Sequence, residues 1–353
     1  MSTTHRVVAL PGDGVGPEVM AAALQVLQAI GNFDIAEYPI GAAAIEETGR
    51  PLPAATLTAC EKADAILLGA VGTGTTQTDS KAPRPEQGVL ELRADLGLYA
   101  NLRPVRPATA LHDAGPLKPD RLKDVDLTVV RELTGGLYFG QRGRAAQHAF
   151  DTCTYTAQEI ERVARVAFEL AAQKGCGAHV TSVDKANVLD TSRLWREVVQ
   201  NLADREYPQI PVEHLLVDTA AMRLITEPKA FHVILTENMF GDILSDETAA
   251  VAGSIGLLSS ASLPGAPLPE GVRGGLFEPV HGSAPDIAGH DRVNPLGMIL
   301  SVALMLRHSL GMNSAADAVD RAVDEALRRG VRTFDLGGTA TTADMTRAVL
   351  AAL

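Results

Sequence analysis

With 353 residues, 46% of them hydrophobic and 21% charged, the chain is long enough to bury a large core in about two domains. A net charge of −12 disfavours nonspecific contact with nucleic acid or anionic membrane, so an anionic ligand needs a local basic pocket. Three scattered cysteines (Cys60, Cys153, Cys176), no signal peptide in MSTTHRVVAL and no apolar run able to span a bilayer of about 30 Å predict a reduced, cytoplasmic protein.

Along the chain, short β-branched or leucine-rich runs alternate with helical periodicity. The first run, Val7–Leu10, leads through Pro-Gly12-Asp-Gly14-Val-Gly16 into a predicted helix Pro17–Ile30. This looks like a dinucleotide cradle, but the third glycine comes one residue early and Pro17 suits a first helical turn. A structural turn near the active cleft is the better reading. Further strands are predicted at Ala65–Leu68, Leu127–Val130, His179–Val183, Glu213–Val217 and His232–Leu235. Helices are predicted at Ala157–Gln173, Thr191–Leu202, Asp242–Val251, Leu296–His308, Ala315–Arg329 and Ala343–Leu353. The alternation argues for an α/β fold with largely parallel strands. The stretch Ser262–Gly275 is rich in Pro and Gly and reads as a long loop. No linker marks a boundary, so one domain is expected to be discontinuous.

Four segments offer a substrate pocket: Glu86 to Arg93 with Val89 and Leu90, Ala100 to Pro104 with Arg103, Val130 to Gly140 with Arg131 and Tyr138, and Val183 to Val188 with Lys185. Guanidinium forks bind carboxylates bidentately, so three arginines converging on one site would suit a dicarboxylate. A single arginine is more often a surface ion pair, and a single tyrosine more often a core residue. Lys185 follows a strand-like run, at the end where open α/β sheets bind ligands. Asp242 and Asp246, at i and i+4, share one helix face, and Asp218 could add a third carboxylate. Such oxygen donors suit Mg²⁺ or Mn²⁺; the competing reading is a helix N-terminus decorated with acids. The segment His281-Gly282-Ser283-Ala284-Pro285-Asp286-Ile287-Ala288-Gly289, closing at Asn294, reads as an ordered loop that could wrap a nucleotide.

The strings RELTGGLYFG, VDKANV, TENMFGDILSDE and FEPVHGSAPDIAG are long, specific and in order, and the chain resembles the isopropylmalate/isocitrate dehydrogenase family over nearly its whole length. The resemblance implies two α/β domains about a cleft, not a Rossmann fold, with residues 1–98 plus 254–353 forming the cofactor-binding domain and 99–253 a central domain. It implies that Arg93, Arg103 and Arg131 hold the malate carboxylates, that Asp218, Asp242 and Asp246 hold the metal, and that Tyr138 and Lys185 are the catalytic pair. It implies that residues from His281 to Asn294 wrap the adenosine of NAD. The family's homodimers share active sites, so Lys185 and Asp218 are expected to reach into the partner's site, and an arm around Tyr138 to Tyr155 to pair with the partner.

In the family, the residues before Arg93 face the malate substituent. Here Val89 and Leu90, with Glu86 one turn earlier, form an apolar wall that suits an isopropyl group and would leave a third carboxylate desolvated. Asp286 accepts hydrogen bonds from a ribose and repels a 2′-phosphate, which favours NAD over NADP. The implied activity is NAD-dependent oxidative decarboxylation of 3-isopropylmalate to 4-methyl-2-oxopentanoate, a step towards leucine. The alternatives are a sister enzyme acting on homoisocitrate or tartrate, a non-catalytic regulatory paralogue, and a Mg²⁺-dependent phosphoryl enzyme, which would lack any P-loop.

Overall fold

The structure, a computed structural model, describes residues 4–74 and 82–353. Ten strands form one sheet: β1 (Arg6–Gly12), β2 (Asp34–Glu37), β3 (Ala65–Ala70), β4 (Ala100–Val105), β5 (Leu127–Glu132), β8 (Val180–Asp184), β9 (Val212–Leu216), β10 (Val233–Thr236), β11 (Ser259–Leu263) and β12 (Gly275–Pro279). Two more, β6 (Arg142–Arg144) and β7 (Ala149–Asp151), make a separate exposed hairpin. The order of the large sheet is β2-β1-β3-β12-β11-β4-β5-β10-β8-β9.

The expectation of largely parallel strands holds at both flanks and fails at the centre. Both β12 and β4 run antiparallel to β11, and β4 runs antiparallel to β5. The reason β4 escaped notice is its sequence, ANLRPV, which carries Arg103 and Pro104. Pro104 is tolerated because β11 pairs only with Ala100 to Leu102, so the missing N–H costs no bond on that side. The predicted loop Ser262–Gly275 shrinks to residues 264–274, because Ser262 and Leu263 finish β11 and Gly275 opens β12.

Sheet alternation explains where a cleft can lie. One face rests on a single continuous apolar core that includes Val7, Leu67, Phe277, Ala261, Leu102, Val130 and Leu235, covered by helices such as Ala157–Lys174 and Leu296–His308. Leu296–His308 is apolar on nearly every side and is accordingly buried. The opposite face carries two separate cores. Val8, Leu10, Ile66, Leu68 and Leu276 belong to one, and Val105, Val129, Val183 and Ile234 to the other. Between them the same face presents Glu278, Ser260, Ser262, Asn101, Arg103 and Arg131. A polar strip divides two apolar cores, and the strip is the floor of the site.

Local signals set the helix ends. Thr156 and Glu159 form a capping box at the start of Ala157–Lys174. Helix Gly16–Ile30 begins with Pro17 in its first turn, as expected. The turn before it is structural. The Asp13 carboxylate accepts from Ala42, Ala43 and Gly72 N–H at 3.0, 3.1 and 2.8 Å, which ties helix Gly41–Thr48 and the segment after β3 to the β1 turn. Gly14, at φ +58°, lets this turn lie against the downstream loop, where a Cβ would come within 2.0 Å of Ser283 O.

Candidate active site

The three arginines expected from sequence converge. Arg131, at the end of β5, is 4% exposed; its Nε and Nη2 donate to Asn238 Oδ1 at 3.1 and 2.7 Å, and its Nη1 donates to Asp242. Arg103 on β4 donates from Nη1 to Ser245 Oγ at 2.6 Å and to Asp246 Oδ1 at 2.8 Å, and from Nε to Asn101 at 3.0 Å. Arg93, on helix Pro85–Asp95, donates to Glu278 Oε1 at 2.5 Å, and its buried Nε has no partner among the described residues. Burial, with Arg103 and Arg93 as like-charged neighbours and against the pull of Asp242, brings Arg131 down to about 10. The site therefore gathers three guanidiniums, each paired with a carboxylate, and Arg131 and Arg93 keep N–H donors for an anionic ligand.

Tyr138 sits in a tight turn, Gly136–Tyr138, made possible by Gly136 at φ +71°. Its hydroxyl donates to Asp242 Oδ2 at 2.9 Å, and Arg131 lies 5.7 Å from its ring centre. Burial, and then the bond to Asp242, pushes the phenol up to about 12, so it holds its proton at neutral pH.

Asp242 and Asp246 share a face of helix Asn238–Glu247, but the predicted boundaries Asp242–Val251 shift. The helix starts four residues earlier because the Glu237 side chain accepts from Phe240 N–H at 2.8 Å, and it stops at Glu247. Asp246 thus lies in the last turn, where the helix dipole disfavours a carboxylate, so acids at a helix N-terminus no longer explain the pair. Arg103 compensates it. Burial is the main cause that raises Asp246 above the usual carboxylate range, with Arg103 opposing.

Lys185 immediately follows β8, as expected, and its Nζ donates to Asp218 Oδ1 at 2.7 Å. Asp218 stands in the first turn of helix Val217–Thr226 rather than at a strand end, and is held below the usual carboxylate range by that bond. Within one chain the three aspartates do not gather: among the described residues no group of three or more His, Cys, Asp or Glu is arranged to hold a metal. Asp242 and Asp246 supply two hard oxygen donors; Asp218 faces Lys185 on an exposed surface. Val188 does not line the arginine site of its own chain. It is 61% exposed in the turn after Lys185, close to exposed Leu189.

Val89 requires a correction. Pro85, Gly88, Val89 and Leu92 form the buried stripe of their helix, and Val89 packs in the core with Leu10, Ile40 and Leu68. Glu86, Leu90 and Arg93 follow at i, i+4 and i+7, so Leu90 and not Val89 shares the face of Arg93. Glu86 Oε1 and Ser283 Oγ both approach Gly72, where a Cβ would lie 3.0 and 3.6 Å from them. That contact brings the Arg93 helix next to the downstream loop.

The loop from His281 to Asn294 is anchored by its backbone. Ser283 O accepts from Val15 N–H at 2.8 Å, and Gly289 N–H donates to Glu18 Oε1 at 2.5 Å. Gly282 and Gly289 have open space where side chains would be, and Pro285, Asp286 and His290 are exposed. Ala284 adopts φ +37°, while Ile287 and Ala288 lean on the main core. His281 Nδ1 is within 2.9 Å of Gly282 O, but its buried Nε2 has no partner among the described residues and is free for a polar ligand. Asn294 is different: its amide donates to Asp335 at 3.0 Å and accepts from Leu296 N–H at 3.0 Å, so its side chain holds the loop to the fold.

Sequence reasoning missed Asn238, Glu278, Ser245 and Asn101. All four fell inside singled-out stretches without being assigned a part; Glu278 and Asn101 are brought in by the antiparallel strands that the sequence reading did not foresee.

The fold and this arrangement are those of a decarboxylating dehydrogenase, and the chain belongs to the isocitrate/isopropylmalate dehydrogenase family, which it matches over residues 6–349. It is 53% identical over 342 residues to a 3-isopropylmalate dehydrogenase of Synechococcus sp. (strain CC9902), covering 94% of this chain and 93% of the relative. It is 50% identical over 361 residues to a 3-isopropylmalate dehydrogenase of Sordaria macrospora, covering 99% and 98%. Among solved structures, isocitrate dehydrogenase from Methylococcus capsulatus superposes with a TM-score of 0.86 at 34% identity, covering 99% of both chains. No helix among the described residues is long and apolar enough to cross a membrane.

Proposed function

We propose that the enzyme oxidises and decarboxylates 3-isopropylmalate to 4-methyl-2-oxopentanoate with NAD and Mg²⁺ or Mn²⁺, in the cytoplasm, as a homodimer with shared active sites. The observation that carries this reading is the convergence of Arg93, Arg103, Arg131, Tyr138, Asp242 and Asp246 on one polar strip, in a chain about half identical to 3-isopropylmalate dehydrogenases over almost its full length.

Arg93, Arg103 and Arg131 grip the two malate carboxylates. Leu90 faces the isopropyl group, and Glu86 marks the seam between substrate and cofactor. Asp242 and Asp246, with Asp218 of a second copy, would hold the metal; the donor set is all oxygen, which fits Mg²⁺ or Mn²⁺. When bound, the metal would polarise the hydroxyl and later the carbonyl oxygen, and NAD would take up the hydride. Lys185 accepts the hydroxyl proton, directly or through water. Tyr138, which keeps its proton at neutral pH, returns one to carbon after CO₂ leaves. The loop His281–Asn294 holds NAD: Gly282 and Gly289 leave room for close approach, and Asp286 accepts from the ribose hydroxyls and repels a 2′-phosphate.

The dimer is favoured by the exposed apolar residues around Lys185 and Asp218. Val188, Met222 and Ile243 are each 59–61% exposed, and Phe150 on the β6–β7 arm is 52% exposed. The two cores on the cleft face support the division into residues 1–98 plus 254–353 and residues 99–253, with Leu258 packing across it and the main core running through both. The test is NADH formation with Mg²⁺ and NAD on 3-isopropylmalate, isocitrate, homoisocitrate and tartrate, with NADP as control. Activity confined mainly to 3-isopropylmalate with NAD is expected; a preference for another malate overturns the Leu90 argument, and equal use of NADP overturns that from Asp286.

A further inference from the structure

Arg131 has five N–H donors, and three are spent within the protein: two on Asn238 Oδ1 and one on Asp242. Asn238 thus takes both its Nε and its Nη2 and sets the plane of the fork. Asn238 is itself fixed from two sides. Its Nδ2 donates to Gly135 O at 3.0 Å, and its backbone N–H donates to the Tyr155 hydroxyl at 3.0 Å, which lies 3.1 Å from buried Glu132. Asn238 and Glu132 are fully buried, and Tyr155 is 7% exposed.

An asparagine is an unexpected residue at this place. It opens helix Asn238–Glu247, and a helix N-terminus favours a carboxylate by about 0.3–1 kcal/mol. It also faces a guanidinium that is 4% exposed and already has an anionic partner in Asp242. The helix end favours aspartate, which has nearly the same shape. Aspartate lacks two features of asparagine here: the Nδ2–H that donates to Gly135 O, and neutrality.

We propose that Asn238 is a positioning residue that aims the Arg131 fork with a neutral acceptor, so that no second protein carboxylate beside Asp242 competes with that of the substrate for the guanidinium. The proposal rests on the reading of Arg131 as a substrate-binding residue. A carboxylate at position 238 would sit where Oδ1 now lies, 2.7 Å from Nη2, and would add a second negative charge beside that of Asp242, against the carboxylate of the substrate. Tyr155 and Glu132 serve the same end at one remove, because they hold the backbone of Asn238.

Asn238→Asp tests this directly. The variant is expected to lose melting temperature, because its carboxylate faces Gly135 O, but to keep kcat and KM for NAD, while KM and the calorimetric Kd for 3-isopropylmalate rise about tenfold or more. Asn238→Ser, a smaller but neutral acceptor, is expected to weaken Kd less than Asn238→Asp. A purely structural role predicts that kcat and both KM values deteriorate together, and that result overturns the proposal. So does an unchanged Kd in Asn238→Asp, or Asn238→Ser binding more weakly than Asn238→Asp. Arg131→Lys is measured alongside: if it leaves the Kd of 3-isopropylmalate unchanged, the assignment of Arg131 to the substrate fails and takes the proposal with it.

Discussion

The two halves of the candidate catalytic set are built differently. Arg103, Arg131, Tyr138 and Asp242 are interlocked on the polar strip of the sheet, with both arginines under 10% exposed. Lys185 and Asp218 stand at the surface, their side chains bonded to one another between the end of β8 and the first turn of helix Val217–Thr226, with Asp218 63% exposed by side chain. The first group is preorganised by its own chain, which is how buried donors are held in place before substrate arrives. The second group is not tied into such a network, and Val188, Leu189 and Met222, on the turn after Lys185 and the helix of Asp218, are exposed.

The largest expected effect comes from the exposed half. Lys185→Met should lower kcat by about a thousandfold, the scale of a lost general base, with the melting temperature unchanged because the side chain carries no core packing. A loss confined to stability would break the contrast. Next, Arg131→Lys in the interlocked half should lower kcat/KM about 10- to 100-fold, mostly through KM, because lysine cannot reproduce the fork. Steady-state kinetics in both substrates would separate the two kinds of loss.

A smaller effect separates the two residues of the proposed substituent wall. Val89→Ala should cost about 1–3 kcal/mol in chemical denaturation and leave selectivity among 3-alkylmalates unchanged, since Val89 is a core residue. Leu90→Ala should leave stability nearly intact and reduce the preference for isopropyl over unsubstituted malate by about tenfold. Competition assays with malate and its 3-alkyl derivatives measure this.

The smallest effect lies away from both halves. Burial, with Arg307 alongside, pulls His308 down from 6.5 to about 4. A histidine with a depressed pKa is neutral in the folded state, so the unfolded chain binds more protons between these values. Stability contributed by the neutral form is present above pH 6.5 and is lost as pH falls towards 4, by up to about 3 kcal/mol. His308→Gln should flatten the slope of unfolding free energy over that window, and an unchanged slope would assign the acid sensitivity elsewhere.

Much of this was legible in the sequence where one physical signal acted alone. Helix Leu296–His308 was read to the residue because its apolar character ends at a charged pair, Arg307 and His308. Helix Ala157–Lys174 was read within one residue because Thr156 and Glu159 mark its start. The central antiparallel strands were not legible, since β4 and β11 carry Arg103, Asn101, Ser260 and Ser262 where a core strand would carry valine or isoleucine. The polarity that disguised them as loops is the polarity that makes the site. Val89 and Leu90 are neighbours in sequence, and only the register of their helix against Leu10, Ile40 and Leu68 shows which one faces the core. Asn238 lay inside a recognised string, yet its role depends on Arg131, 107 residues away.

The central claim is that the two halves come from different copies of the chain, and subunit complementation tests it most directly. Lys185→Met and Tyr138→Phe proteins, each nearly inactive, would be mixed, dissociated and reassociated, and assayed for NADH formation on 3-isopropylmalate. With shared sites, each mixed dimer contains one site free of both substitutions, so activity should return to about a quarter of the wild-type level. No recovery, with mixed dimers demonstrated by mass, would contradict the account and place Lys185 and Tyr138 in the same chain's site.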